Sequence, residues 1–161
     1  MRNYSVTLIA LMTLVFCSYK SASQNIFNVN CGDDFTKWQS YFTLKSHIDN
    51  DNSNLYEYSK PISNDFFHHR VEKFFIGVKG NIVVKQIYIL LPNTGEVGVP
   101  QPLIKEMEYD FGKSFHVDNL KFGEHDGYYG AKVDNITVKV HLDNNSITSW
   151  KDRLTIYIKA D

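Results

Sequence analysis

Apolar and β-branched side chains crowd the stretch Lys79 to Pro92, Lys-Gly-Asn-Ile-Val-Val-Lys-Gln-Ile-Tyr-Ile-Leu-Leu-Pro, the most strongly β-forming run in the chain. It opens on Gly80-Asn81. Glycine there supplies the positive φ of a two-residue primed turn, so the pattern predicts a hairpin. Counting outward sets Lys79 against Ile82, Val78 against Val83, Ile76 against Lys85 and Phe74 against Ile87. One face of the ribbon then collects Phe74, Ile76, Val78, Val83, Ile87 and Ile89, and the other holds Val84, Tyr88 and Leu90 among Lys73, Gln86 and a glycine.

The end of the chain alternates most regularly. Ile136, Val138, Val140 and Leu142 alternate with Thr137, Lys139 and His141, and Leu154, Ile156 and Ile158 with Thr155, Tyr157 and Lys159. Two half-buried strands are predicted, joined by a polar loop from Asp143 to Arg153. Leu103 to Phe111 is also read as a strand, with Leu103, Met107, Tyr109 and Phe111 on one side and Glu106, Glu108 and Asp110 on the other, and Phe115 to Phe122 as a weaker one. Gln24 to Gly32 reads as a leading arm or first edge strand. Phe35 to Leu44 fits a short helix capped by Asp33 or a strand with Ser40, Phe42 and Leu44 alternating, and the strand is favoured. Phe67, Val71, Phe74, Phe75 and Val78 would line a helix, but the Gly80-Asn81 turn decides for strand from Val71 onward.

Asp49 to Asn54 reads as an exposed loop, with a short strand around Leu55, Tyr56 and Tyr58 before Pro61. Pro92 to Gly95 is a turn, Gly95 to Pro102 a loop, and Asp126-Gly127-Tyr128-Tyr129-Gly130 another turn. Several strands, frequent turns and no long amphipathic helix predict an all-β fold, an antiparallel β-sandwich or small barrel in one domain spanning residues 24–161.

The first residues change the picture of where such a domain works. Arg2, an uncharged apolar run from Val6 to Phe16, and the small residues Ser21-Ala22-Ser23 have the layout of an export signal, with cleavage expected after Ser23. The run is shorter than the ~20 apolar residues of a membrane helix, and no later stretch reaches that length, so no membrane span is expected. Losing Arg2 and Lys20 takes the 17 basic side chains to 15 against 18 acidic ones, a net charge of −3. That field is too weak to steer nucleic acid. Cys17 leaves with the leader, so Cys31 is either a free thiol or the bridge to a second chain, making a dimer through Cys31 one expected partner state. Without an internal disulfide, aromatic side chains, of which the whole chain has 11 Phe, 10 Tyr and 2 Trp, must supply the core.

Candidate chemistry is sparse. Asn135-Ile136-Thr137 and Asn144-Asn145-Ser146 are glycosylation sequons. Asn135 falls on the polar side of its strand and Asn144 in a loop, as a bulky glycan requires. Asp49-x-Asp51-x-Ser53 begins like a calcium loop, but Asn54 and Lys60 stand where that motif has glycine and glutamate. His68-His69, His116, His125, His141 and His47 show no zinc-ligand spacing. No catalytic signature surrounds Cys31 or the Ser114/His116 pair, and Glu106 and Glu108, ~7 Å apart on one strand face, suit a solvated surface better than a glycosidase. No cofactor motif is present.

The tail from Gly127 to Ala160, in Gly127-Tyr128-Tyr129-Gly130, Ile136-Thr137-Val138-Lys139-Val140 and Leu154-Thr155-Ile156-Tyr157-Ile158, resembles the end of insect secreted proteins of the MBF2-like family. Lys132-Val133-Asp134 stands where that family has a Gly-Gly turn. The resemblance implies a small β-rich exported protein without catalysis. The expected function is therefore that of a secreted, non-enzymatic effector of salivary or venom type, within reach of host vascular tone or haemostasis, that binds an extracellular protein, a receptor or a small ligand. Its contacts are expected on Asp49 to Asn54, Gly95 to Pro102 and Ser146 to Trp150, with Trp150 as a binding anchor or core plug. The alternatives are a carrier whose sheet closes around a cavity lined by Phe and Tyr, and a hydrolase of unrecognised type.

Overall fold

The computed structural model describes residues 28–143 and 152–160. The expected leader, the sequon asparagine Asn144 and Trp150 lie outside these residues. Among the described residues nine strands form one antiparallel sheet: β1 Phe42–Ile48, β2 Ser53–Tyr58, β3 Asp65–Phe66, β4 His69–Lys79, β5 Ile82–Leu90, β6 Gly123–His125, β7 Tyr128–Val133, β8 Ile136–Asp143 and β9 Arg153–Ala160. Their order is β1-β2-β4-β5-β9-β8-β7-β6, with β3 paired to the start of β4. The all-β expectation holds, and among the described residues no ladder joins β1 to β6.

The central hairpin forms at Gly80-Asn81, where Gly80 has φ +59°. Lys79 pairs with Ile82 and Val78 with Val83, as counted from the sequence. The register then shifts between Gly77 and Val78, so Gly77 meets Lys85, Ile76 meets Gln86 and Phe74 meets Tyr88. The expected pairs Ile76 with Lys85 and Phe74 with Ile87 are therefore off by one. A bulge puts one extra residue into β5 and turns the following side chains over, until a second shift between Lys73 and Val71 sets Val71 against Leu90. Tyr88 and Leu90 thus join Phe74 and Ile76 in the core, and Ile87 and Ile89 go to the opposite face.

Gln101–Phe115 is not a strand but α1, a 15-residue helix. Leu103, Ile104, Met107 and Phe111 are its buried apolar side chains, an i, i+1, i+4, i+8 stripe joined by Gly112, and Tyr109, expected beside them, is 70% exposed. The lysines, glutamates and methionine of this segment favour helix, and a proline in its first turn suits a helix start. His116, left-handed at φ +56°, caps its end, so Phe115 to Phe122 forms a helix end and loop rather than a strand. Phe35 to Leu44 divides: two short 3₁₀ turns, Phe35–Lys37 and Gln39–Tyr41, replace the expected strand up to Tyr41, Phe42 to Leu44 lie in β1 as the strand reading has it, and Asp34, not Asp33, accepts the Thr36 amide. Tyr128 to Gly130, expected in a turn, lies in β7, and the turn itself is Asp126-Gly127.

The core lies between α1 and one sheet face. Tyr88 is stacked between Phe66 and Phe74, with ring centroids at 4.3 and 4.6 Å. Its hydroxyl donates to Gln86 Oε1 at 3.3 Å, and the Gln86 amide donates to the carbonyl of Val29. The arm before β1 is fixed alongside β5, with the Gly32 amide donating to Val83 O at 2.7 Å and the Phe35 amide to Asn81 O at 2.7 Å. Aromatic stacking thus fills the interior that an empty barrel would leave open.

Candidate functional site

The other sheet face is built differently, because the register brings polar side chains from distant strands into rows. Across β4, β5, β9, β8 and β7 one row reads Lys73, Ile89, Thr155, His141, Tyr128. The next reads Phe75, Ile87, Tyr157, Lys139, Gly130. A third reads Gly77, Lys85, Lys159, Thr137, Lys132.

Two lysines here lie over glycines. A Cβ on Gly77 would run into the Cγ and Cδ of Lys85, and a Cβ on Gly130 would come within 2.5 Å of Val138 O and 3.2 Å of Lys139 Cγ. Each glycine leaves room for a lysine stem to lie on the sheet. Lys85, 3% exposed, reaches the Asp51 carboxylate, which also accepts from Ser53 Oγ at 2.6 Å. The Lys85 and Ser53 hydrogen bonds hold the Asp51 carboxyl below its ordinary pKa. The Asp49–Asp51 turn is thereby pinned to the sheet, and Asp51 serves a lysine rather than an ion. Lys139 extends over Tyr128, with Nζ 4.3 Å from the ring centroid.

Asp126, Gly127, Tyr128, Lys139, His141, Leu142 and Tyr157 enclose a trough of about 480 Å³. Lys139 and His141, two residues apart on β8, form its middle, and Tyr128 and Tyr157 flank them from β7 and β9. Burial pushes the His141 pKa down; the nearby Lys139 charge acts in the same direction, and Asp143 opposes it. At neutral pH the imidazole is uncharged and offers one donor and one acceptor. A stacked His125, 5.7 Å from the Tyr128 ring, extends the aromatic wall, and its Nδ1 lies 3.0 Å from Asp126.

A second hollow of about 740 Å³ lies at the end of α1, where Lys105, Tyr109, Lys113, His116 and Lys121 line it. Its walls mix these side chains with Glu108 and Asp118 on a helix end and loop, whereas strands hold the half-buried walls of the trough. Rigid placement favours the trough as a binding site.

The other singled-out residues are scattered. Cys31 Sγ lies 4.0 Å from Ile158 O, and burial pushes its thiol up to about 11, so little thiolate forms at neutral pH. Asn135 is exposed at the β7–β8 hairpin tip rather than within the strand. Ser114 stands in the last turn of α1, and His116 is its cap. Glu106 faces His68 at 3.3 Å, and Glu108 accepts from the Phe122 amide at 2.8 Å and Lys121 at 3.1 Å. A helix separates the two acids that an extended strand would align, so the paired-acid geometry is absent. His68 is exposed in a turn, while His69 is buried with Nδ1 2.6 Å from Phe67 O and Nε2 3.0 Å from Glu96 Oε2. These contacts tie the β3–β4 turn to the loop before α1. Among the described residues no three His, Cys, Asp or Glu side chains converge as metal ligands, and no helix is long and apolar enough to cross a membrane.

The trough residues were missed as a group because they come from three strands. Alternation already placed Lys139 and His141 on one side of β8 and Tyr157 on the polar side of β9, and only the ladder joins them. Compared with family models, characterised proteins and solved structures, the chain matches none.

Proposed function

We propose that this chain is an exported, non-enzymatic effector that works by binding an extracellular molecule on the second face of its sheet, at the trough formed by Tyr128, Lys139, His141 and Tyr157. The observation that carries this reading is the trough itself: two rings, an ammonium and a neutral imidazole held on adjacent strands, on the face opposite α1. Such side chains combine apolar contact with directional polar groups, as recognition sites do. The scatter of Ser114, His116, Glu106 and Glu108 favours binding over hydrolysis. The secretory route rests on the leader-like first 23 residues, and the salivary or venom setting on the resemblance of the last strands. A glycan on exposed Asn135 would fit the same route.

Two measurements test this. Expressed with its own first 23 residues in a eukaryotic secretory line, the chain should appear in the medium with Gln24 as its first residue. Intracellular retention with the leader attached would defeat the export reading. Immobilised protein should retain a component of extracellular fluid that the folded double variant Tyr128→Ser/Tyr157→Ser does not. Equal retention by both would remove the trough from the function.

A further inference from the structure

The trough has a chemical polarity that narrows what it can hold. Its rings, Tyr128 and Tyr157, stand diagonally across β8. Between them lies the Lys139 ammonium, with its stem over Gly130 and its charge over the Tyr128 ring. Asp126, the one acid among the lining residues, is 83% exposed and beside His125, and Asp143 acts on His141 from two residues further along β8, so Lys139 is the charged group in the middle of the site.

Resting on the reading of the trough as the binding face, we infer that its ligand is a small planar aromatic anion. The ring lies against Tyr157 and the edge of Tyr128, whose faces carry Lys139 and His125, and the anionic group takes hydrogen bonds from the Lys139 ammonium and the His141 N–H. A hollow of about 480 Å³ suits a molecule of one or two fused rings. An aromatic cation of equal size gains the same ring contacts but meets Lys139 with like charge. A small aliphatic anion meets the charge without the rings. Selectivity thus comes from the combination, and it is set by residues whose removal leaves the core between α1 and the sheet untouched.

Isothermal titration calorimetry with three probes tests this: 2-naphthoate, 1-naphthylmethylammonium and acetate. The expected result is that 2-naphthoate binds about tenfold or more tighter than either control, and that Lys139→Met lowers its affinity about tenfold, the loss of one charge-assisted contact. Tyr157→Leu should weaken both naphthyl probes alike. Unchanged urea midpoints for both variants exclude unfolding as the cause. If the two naphthyl probes bind equally, the anion assignment fails while the trough stands as a binding site. If none binds and the Tyr128→Ser/Tyr157→Ser variant still loses the extracellular partner, the small-ligand inference fails and the binding reading survives. If neither a probe nor a partner depends on the trough, both fall.

Discussion

The two faces of this sheet share every backbone hydrogen bond and differ in what they do with it. The face toward α1 stacks Phe66, Tyr88 and Phe74 ring on ring and satisfies its one deep hydroxyl internally through Gln86. The opposite face holds lysine stems over glycines, one ammonium on a carboxylate and the other over a tyrosine ring. One face spends its side chains on filling space; the other uses them to hold charges in place. Substitutions should therefore separate: large losses of stability with binding retained on the first face, small losses of stability with binding removed on the second.

The largest effect should come from Tyr88→Ala, which empties the middle of a three-ring stack and should cost about 3–5 kcal/mol in urea unfolding. Tyr157→Ala, a half-buried ring on the other face, should cost less than about 1 kcal/mol. Equal costs would erase the distinction between the faces. Next comes Asp51→Asn, which leaves the Lys85 ammonium buried without its carboxylate and should cost about 2 kcal/mol. Lys85→Met added to Asp51→Asn should cost less than Asp51→Asn by itself, because no unpaired charge remains; alone it should also cost less, because the Asp51 carboxylate it leaves is 25% exposed to water. A double variant as unstable as the sum of the two singles would show that the pair is not coupled.

These contrasts also show what the residue order discloses. β8 and β9 were legible because strict alternation meets a one-sided core, and burial follows it at Val138, Val140, Leu154 and Ile156. The hairpin was legible at its turn and not beyond, since no local signal marks Val84 as the residue that a bulge inserts. Helix α1 was misread because Met107, Tyr109 and Phe111 imitate a period of two, while the i, i+4, i+8 stripe of Leu103, Met107 and Phe111 was the one that counted. The trough could not be read from the sequence at all, since its walls meet only through the β7–β8 and β8–β9 ladders.

Gly130→Ala tests whether the second face depends on close approach. The added methyl would meet the Val138 carbonyl, so the backbone must shift, at a cost of about 1–3 kcal/mol, and Lys139 must leave its place. Here stability and 2-naphthoate binding should fall together, unlike any substitution around Tyr88. A folded Gly130→Ala protein with full binding would show that the lysine needs no such bed.

The smallest expected effect is a dependence on pH that belongs to the trough alone. Burial lowers the His141 pKa in the folded chain below the ordinary value of about 6.5, which the unfolded chain retains. As pH falls through that value the unfolded chain takes up a proton that the folded chain resists, so the histidine's contribution, complete above pH ~6.5, is lost on acidification. The lowered carboxyls of Asp51, Glu57, Glu96 and Glu108 act in the same direction but only near their own ordinary range around pH 4, so the windows separate. Urea midpoints at pH 7.5 and 5.5 should differ less for His141→Asn than for the parent chain, with the other histidines common to both. Below the lowered His141 pKa, protonation adds a second positive charge beside Lys139, so 2-naphthoate binding should tighten for the parent chain as pH falls through that value and stay level for the variant. An identical pH response in the two proteins would mean that His141 is solvated like any surface histidine, and the trough would lose the buried inner wall on which its selectivity depends.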